Sequence, residues 1–247
     1  MGTLNVGDAI TFNGVDNLTF TNTISGTGKL VKSGTNTLIV SGDNTFSGGV
    51  DLSGGVLELG SANAFGSLGD ISMLGGTLKF TSSNTTDYSS RFSAADNQAF
   101  KFDTNGQNVT LSANLVGSGG TLEKMGSGIL TLSGTNTYTG GTTLTSGELY
   151  PTSPGALGVS GSLVFNGGIL KHSANNLVDY SGRFSSAANQ LFKINVDNGS
   201  TLSWAYGVAG NGSQFWKLGN GGLIMNGTST NTGLSYIGDG FLYLGRN

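Results

Sequence analysis

The chain has 247 residues and a mass of 25.1 kDa, with 44 glycines, 2 prolines, no cysteine and a formal net charge of -3 at pH 7. The lack of cysteine excludes disulfides and thiolate metal centres, and 11 Lys and Arg scattered singly form no basic stripe, so nucleic acid is not an expected partner. No apolar run reaches bilayer-spanning length, so the segment is not expected to insert into a membrane, and Met1-Gly2-Thr3-Leu4 lacks the charged and apolar regions of a signal peptide.

The apolar share of 36% is too high for a glycine-rich disordered chain, and it comes in short runs separated by Gly, Asn, Ser and Asp. Residues 1–23 read as the tail of a repeat unit, because Asn17-Leu18-Thr19-Phe20 lies over Asn108-Val109-Thr110-Leu111 further on. A full unit then occupies 24–115. Its predicted strands are Lys29–Lys32, Thr37–Val40, Val50–Leu52, Val56–Leu59, Ile71–Met73, Thr77–Phe80, Ala99–Phe102 and Asn108–Leu111.

A second unit, 116–208, repeats the first at an offset of 92 residues. Leu122-Glu123-Lys124-Met125-Gly126 lies over Leu30-Val31-Lys32-Ser33-Gly34, and Asp179-Tyr180-Ser181-Gly182-Arg183-Phe184 over Asp87-Tyr88-Ser89-Ser90-Arg91-Phe92. A partial third unit, 209–247, opens with Phe215-Trp216-Lys217-Leu218-Gly219 and stops unfinished, so the chain reads as a piece of a longer array.

Short strands with a corner after each, with no helices and no hairpin-specific pair at every turn, predict an all-β fold: a right-handed parallel β-helix (β-solenoid) built from ~92-residue repeats. Coils of ~20–30 residues would give nine to eleven layers and, at the ~4.8 Å spacing of neighbouring strands, a rod on the order of 50 Å long. Inward Val, Leu, Ile and Phe would fill a thin core, and Gly and Asn would turn the corners. Asn44 and Asn136 are predicted at such bends.

The segment Gly119-Gly120-Thr121-Leu122-Glu123-Lys124-Met125-Gly126-Ser127-Gly128-Ile129-Leu130-Thr131-Leu132-Ser133-Gly134-Thr135-Asn136-Thr137-Tyr138-Thr139-Gly140-Gly141 resembles the autotransporter-associated β-strand repeat, and residues 27–49 are a looser copy. That family occupies the passenger regions of type V secreted proteins and giant surface proteins of Gram-negative bacteria. The resemblance implies a β-helical passenger at the cell surface or secreted, and it transfers no catalytic residue.

The chemistry-bearing residues are sparse. His172 takes the place of Phe80 one unit earlier, which favours a packed side chain over a base or metal ligand. With one His and no Cys, nucleophile–base pairs have little to build on. The acids, including Glu58, Glu123 and Glu148, are dispersed rather than paired, and no calcium nonapeptide is present. No catalytic residue, cofactor or metal is therefore expected. Tyr88 with Arg91 and Tyr180 with Arg183, beside Asp87 and Asp179, form a candidate ligand platform for glycans; the blander reading is an Asp–Arg ion pair fixing a loop. Trp204, Tyr206, Trp216 and Tyr236 gather towards the end of the chain as an adhesive patch or as denser packing. The expected role is a non-enzymatic extracellular stalk, spacer or self-associating filament segment, whose partners are a second copy end to end or neighbouring coils of its parent. The rival reading is an adhesin binding polysaccharide or a surface protein along the solenoid side, and a carbohydrate-active enzyme ranks last.

Overall fold

The computed structural model describes residues 2–245; Met1, Arg246 and Asn247, which end the first and last stretches of the sequence division, lie outside the described residues. In Thr37–Val40 the order Thr-Leu-Ile-Val buries Leu38 and Val40 and turns Thr37 and Ile39 outward, because successive strand side chains point to opposite faces. The same alternation recurs in Val56–Leu59, Ile129–Leu132 and Ile169–His172. Each strand is followed by a corner, and the chain returns one layer higher after 19 to 24 residues, as in Thr37 beneath Val56 and Thr77 beneath Lys101.

The ladders between strands are all parallel among the described residues. The two antiparallel bridges, Thr81 with Asn84 and Ser173 with Asn176, close tight turns. The protein is a β-solenoid of about 12 coils. That exceeds the nine to eleven expected because most coils take 19 to 21 residues, near the short end of the anticipated range. Stacked at ~4.8 Å per layer, they make a rod roughly 55 Å long. The predicted strands of 24–115 are all present. Three differ by one residue at an end, namely Thr77–Lys79, Ala99–Asp103 and Val109–Leu111.

The main strand ladders define three faces. Face I stacks Ala9–Phe12, Lys29–Lys32, Val50–Leu52 and Ile71–Met73. Face II runs from Leu18–Phe20 through Thr37–Val40, Val56–Leu59, Thr77–Lys79 and Ala99–Asp103 to Thr121–Met125, Thr142–Leu144 and Leu163–Phe165. Face III runs from Val109–Leu111 through Ile129–Leu132, Glu148–Pro151, Ile169–His172 and Leu191–Val196 to Gln214–Leu218 and Ser235–Ile237.

Sequence counterparts therefore change face. Lys29–Lys32 lies on face I, its counterpart Thr121–Met125 on face II, and the next, Gln214–Leu218, on face III. The handover passes through Ala99–Asp103, which pairs with Thr77–Lys79 below and Thr121–Met125 above. One unit winds four coils and one face further, so each repeated feature is displayed one face round the rod from its predecessor.

Corners and inter-coil bonds account for the repeated polar residues. Gly49 and Gly141 sit at φ +90° and +98°, and a Cβ on either would lie 2.2 Å from the Asp70 carbonyl oxygen or 2.6 Å from that of Ser162, so only glycine fits. Asn97 and Asn189 hold φ +58° and +59°, a left-handed conformation Asn tolerates better than most residues. The next residues, Gln98 and Gln190, accept from the backbone N–H of Met73 and Phe165, both at 2.8 Å. Asn44 and Asn136 occupy the predicted bends. Each accepts an N–H from the coil below (Ile24, 2.8 Å; Leu115, 2.7 Å) and donates to a carbonyl of the coil above (Ala64; Ala156).

Candidate functional site

The loops that carry the sequence-predicted platform lie where the coil is longest, between Thr77–Lys79 and Ala99–Asp103 and again one unit later. Each contains a single turn of 3₁₀ helix, Ser89–Arg91 and Ser181–Arg183, entered by a Tyr at φ -97° and -96°. Tyr88 and Tyr180 point inward and are only 5% and 4% exposed. Their hydroxyls accept from Asn84 (2.7 Å) and Asn176 (3.0 Å), and the Tyr88 ring packs 4.9 Å from that of Phe65. No ring face is left open for a sugar, which removes the geometric basis of a tyrosine platform.

The Asp and Arg do not pair with each other. Arg91 donates from Nε to Gly69 O (2.9 Å), from Nη1 to Gly66 O (3.3 Å) and from Nη2 to Phe65 O (3.1 Å) and Leu68 O. Arg183 repeats this on Gly161 (2.9 Å), Gly158 (3.1 Å), Leu157 (2.9 Å) and Ser160 (2.6 Å). A rigid fork of donors suits a turn whose carbonyls converge, so the guanidinium closes the corner below. Asp87 accepts from the N–H of Ser89 and Ser112, both at 2.8 Å, tying its loop to the coil above. Burial pushes its carboxyl pKa up, but the bonds from Ser112 and Ser89 outweigh this and hold it below the usual range. Asp179 accepts likewise from Ser181 (2.8 Å) and Ala205 (2.6 Å). Four carbonyl bonds replace the ion pair expected from sequence.

His172 is fully buried, with its ring 5.9 Å from that of Tyr180. Nδ1 lies 3.3 Å from Asn176 O and so carries the proton, while Nε2 has no partner. Burial drives its pKa down to about 4, and it is a neutral core residue at neutral pH. Glu58, Glu123 and Glu148 project from strands on two faces, with Glu58 paired to Lys79 at 3.0 Å. No group of three or more His, Cys, Asp or Glu gathers to hold a metal among the described residues.

One recurring polar group was missed in the sequence. Lys32, Lys124 and Lys217 are completely buried. The Lys124 ammonium donates to the carbonyls of Met125 (2.9 Å), Gly126 (2.8 Å) and Ser146 (3.0 Å), and Lys217 to those of Leu218 (2.8 Å), Gly219 (2.7 Å) and Asp239 (3.2 Å). Lys32 reaches Gly34 and Gly54. Burial lowers all three, Lys124 to about 8. The signal was available: in Leu-x-Lys-x-Gly the lysine shares the parity of the buried leucine. These ammonium groups close corners and face no solvent cleft.

The aromatic cluster divides by strand parity. Trp204 points inward, 4.9 Å from Phe184 and 6.0 Å from Phe215, whereas Trp216 and Tyr236 project from the outside of face III. Their rings meet edge to face at 5.7 Å, and the Lys193 ammonium sits 5.2 Å from the Trp216 ring centre. Lys171 lies 5.0 Å over Tyr150 on the same face and pairs with Asp197 at 3.4 Å.

The passenger-associated transport repeat family matches residues 30–59 and 122–150, the same stretch of two successive units. An adhesin autotransporter of Brucella suis biovar 1 (strain 1330), BmaC, is 36% identical over 125 residues; the aligned stretch covers 50% of this chain and 4% of that adhesin. No solved structure matches the chain significantly.

Proposed function

We propose that this solenoid of autotransporter passenger repeats is a non-enzymatic rod segment on the outside of a Gram-negative cell, holding other parts of a longer surface protein away from the envelope. The observation that carries this reading is that the repeated polar residues (Asn44 and Asn136, Arg91 and Arg183, Lys32, Lys124 and Lys217) are used on backbone groups of their own or adjacent coils. Such residues give a stack in which every coil is held by its neighbours, which resists bending and local opening. The likeness to the Brucella adhesin supports the surface location. No helix among the described residues is long and apolar enough to cross a membrane.

The partners that suit a rod are further coils, from the same parent chain or from a second copy stacked end to end, since an open parallel edge accepts another strand. Antibody raised against the segment should label intact cells of the source organism, and external protease should remove the label; labelling only after permeabilisation would contradict the surface reading. Electron microscopy of the purified chain separates short single rods from concentration-dependent fibres.

A second reading, an adhesin passenger, is favoured by the outward Trp216–Tyr236 pair, which shares face III with the outward Tyr150.

A further inference from the structure

We infer that the outer surface of face III, from Glu148 to Tyr236, binds a polysaccharide that carries carboxylate groups. Parallel register places Glu148, Ile169, Lys193, Trp216 and Tyr236 in one outward column, with Tyr150 and Lys171 in the column beside it. At the upper end a groove of about 440 Å³ is lined by Gln214, Trp216, Leu234, Ser235 and Tyr236. Aromatic walls accept the apolar C–H surface of a sugar ring, while the amide of Gln214 and the hydroxyl of Ser235 offer partners for its hydroxyls. Trp216 is already held in place, its ring flanked by Lys193 and Tyr236 and its Nε1 donating to Gln214 Oε1 at 3.3 Å.

Charge selects among saccharides. The Lys171 ammonium is matched by Asp197, and Glu148 accepts from Asn195 at 3.4 Å. Lys193 has no carboxylate partner among the described residues; its ammonium touches Gly167 O at 3.1 Å and the Trp216 ring. A uronate carboxylate lying against Trp216 would meet that cation. Because these side chains stand on strands of a stacked sheet, the row needs little ordering before a chain lies along it. A long glycan parallel to the rod axis would cross successive strands and meet one column residue per coil. The site is independent of the rod function, which stands whether or not a ligand is bound.

The test is affinity electrophoresis of the whole 247-residue chain through gels containing polygalacturonate or, in parallel, neutral dextran. Tryptophan fluorescence provides a second readout, since only Trp216 of the two tryptophans is near the groove. Retardation is expected in polygalacturonate and not in dextran. It should weaken about tenfold in Trp216→Ala, the size of one aromatic contact, and several-fold in Lys193→Met, with circular dichroism confirming that both variants fold. Free migration of the parent chain in polygalacturonate would overturn the assignment, as would equal retardation in dextran or undiminished retardation of a Trp216→Ala/Tyr236→Ala double variant. So would self-association of the chain through this face, read as a sedimentation shift that the double variant abolishes.

Discussion

Residues 24–115 and 116–208 thread the same path with different core chemistry. Phe46 and Val50 of the first unit become Tyr138 and Thr142 in the second, where the two hydroxyls bond each other at 2.7 Å inside the core. Phe80 becomes His172, equally buried, with one ring nitrogen unpartnered. The first substitution arrives as a satisfied pair and the second as a half-satisfied singleton. The two therefore differ in cost even though both put polar atoms in an apolar interior.

The largest effect expected from this difference is on acid stability. The folded state holds the His172 pKa at about 4 against an ordinary 6.5, so the unfolded chain binds the extra proton between these values. The stability tied to His172 is whole above the unfolded value and drains as pH falls from 6.5 towards 4, by up to about 3 kcal/mol. Urea unfolding followed between pH 7 and 4 should show this loss in the parent chain, and His172→Phe, which restores the first unit's residue, should lack that share. At neutral pH the same variant should gain about 1 kcal/mol by removing an orphaned ring nitrogen. An unchanged acid limb would show that His172 finds a partner when protonated.

The next effect concerns the hydroxyl pair. Tyr138→Phe or Thr142→Val alone should each cost about 1–3 kcal/mol by leaving one buried hydroxyl unpaired, whereas the double variant should lie close to the parent. Additive losses in that cycle would mean that the two side chains are held by other groups.

The smallest effect lies on the surface. The second unit has Gly182 where the first has Ser90, and a Cβ there would meet the Tyr206 ring at 3.2 Å. Tyr206 is 62% exposed, with room on its solvent side, so Gly182→Ser should leave the unfolding free energy within about 0.5 kcal/mol of the parent in urea titrations. A loss well above that would show Tyr206 to be fixed against the loop.

Strand positions were legible because each apolar pair alternates with outward polar residues and ends at Gly or Asn, as in Leu38 and Val40. The change of face was not. A period of 92 states how often a residue recurs, while its place round the rod depends on how many residues each coil consumes, which varies from 19 to 24. The Asp–Arg–Tyr recurrence correctly marked a loop, but the Arg partners are carbonyls, which carry no mark in a sequence. The lysines escaped notice because an ammonium is usually solvated, although Lys124 shares the parity of buried Leu122. Trp204 and Trp216 look alike in composition, and only the phase of each strand decides that one packs inside and the other faces out.

The central claim is that successive units are joined by a handover between faces, with Thr77, Lys101 and Glu123 in one parallel column. The chain has no cysteine, so nitroxide labels can be placed cleanly through Thr77→Cys/Glu123→Cys and, separately, Ser72→Cys/Glu123→Cys. Two strand spacings, about 10 Å, should give the first pair strong dipolar broadening in electron paramagnetic resonance spectra, and the second pair, split between faces I and II, should show little. Broadening in the Ser72 pair with none in the Thr77 pair would place the two units directly in line and contradict the account.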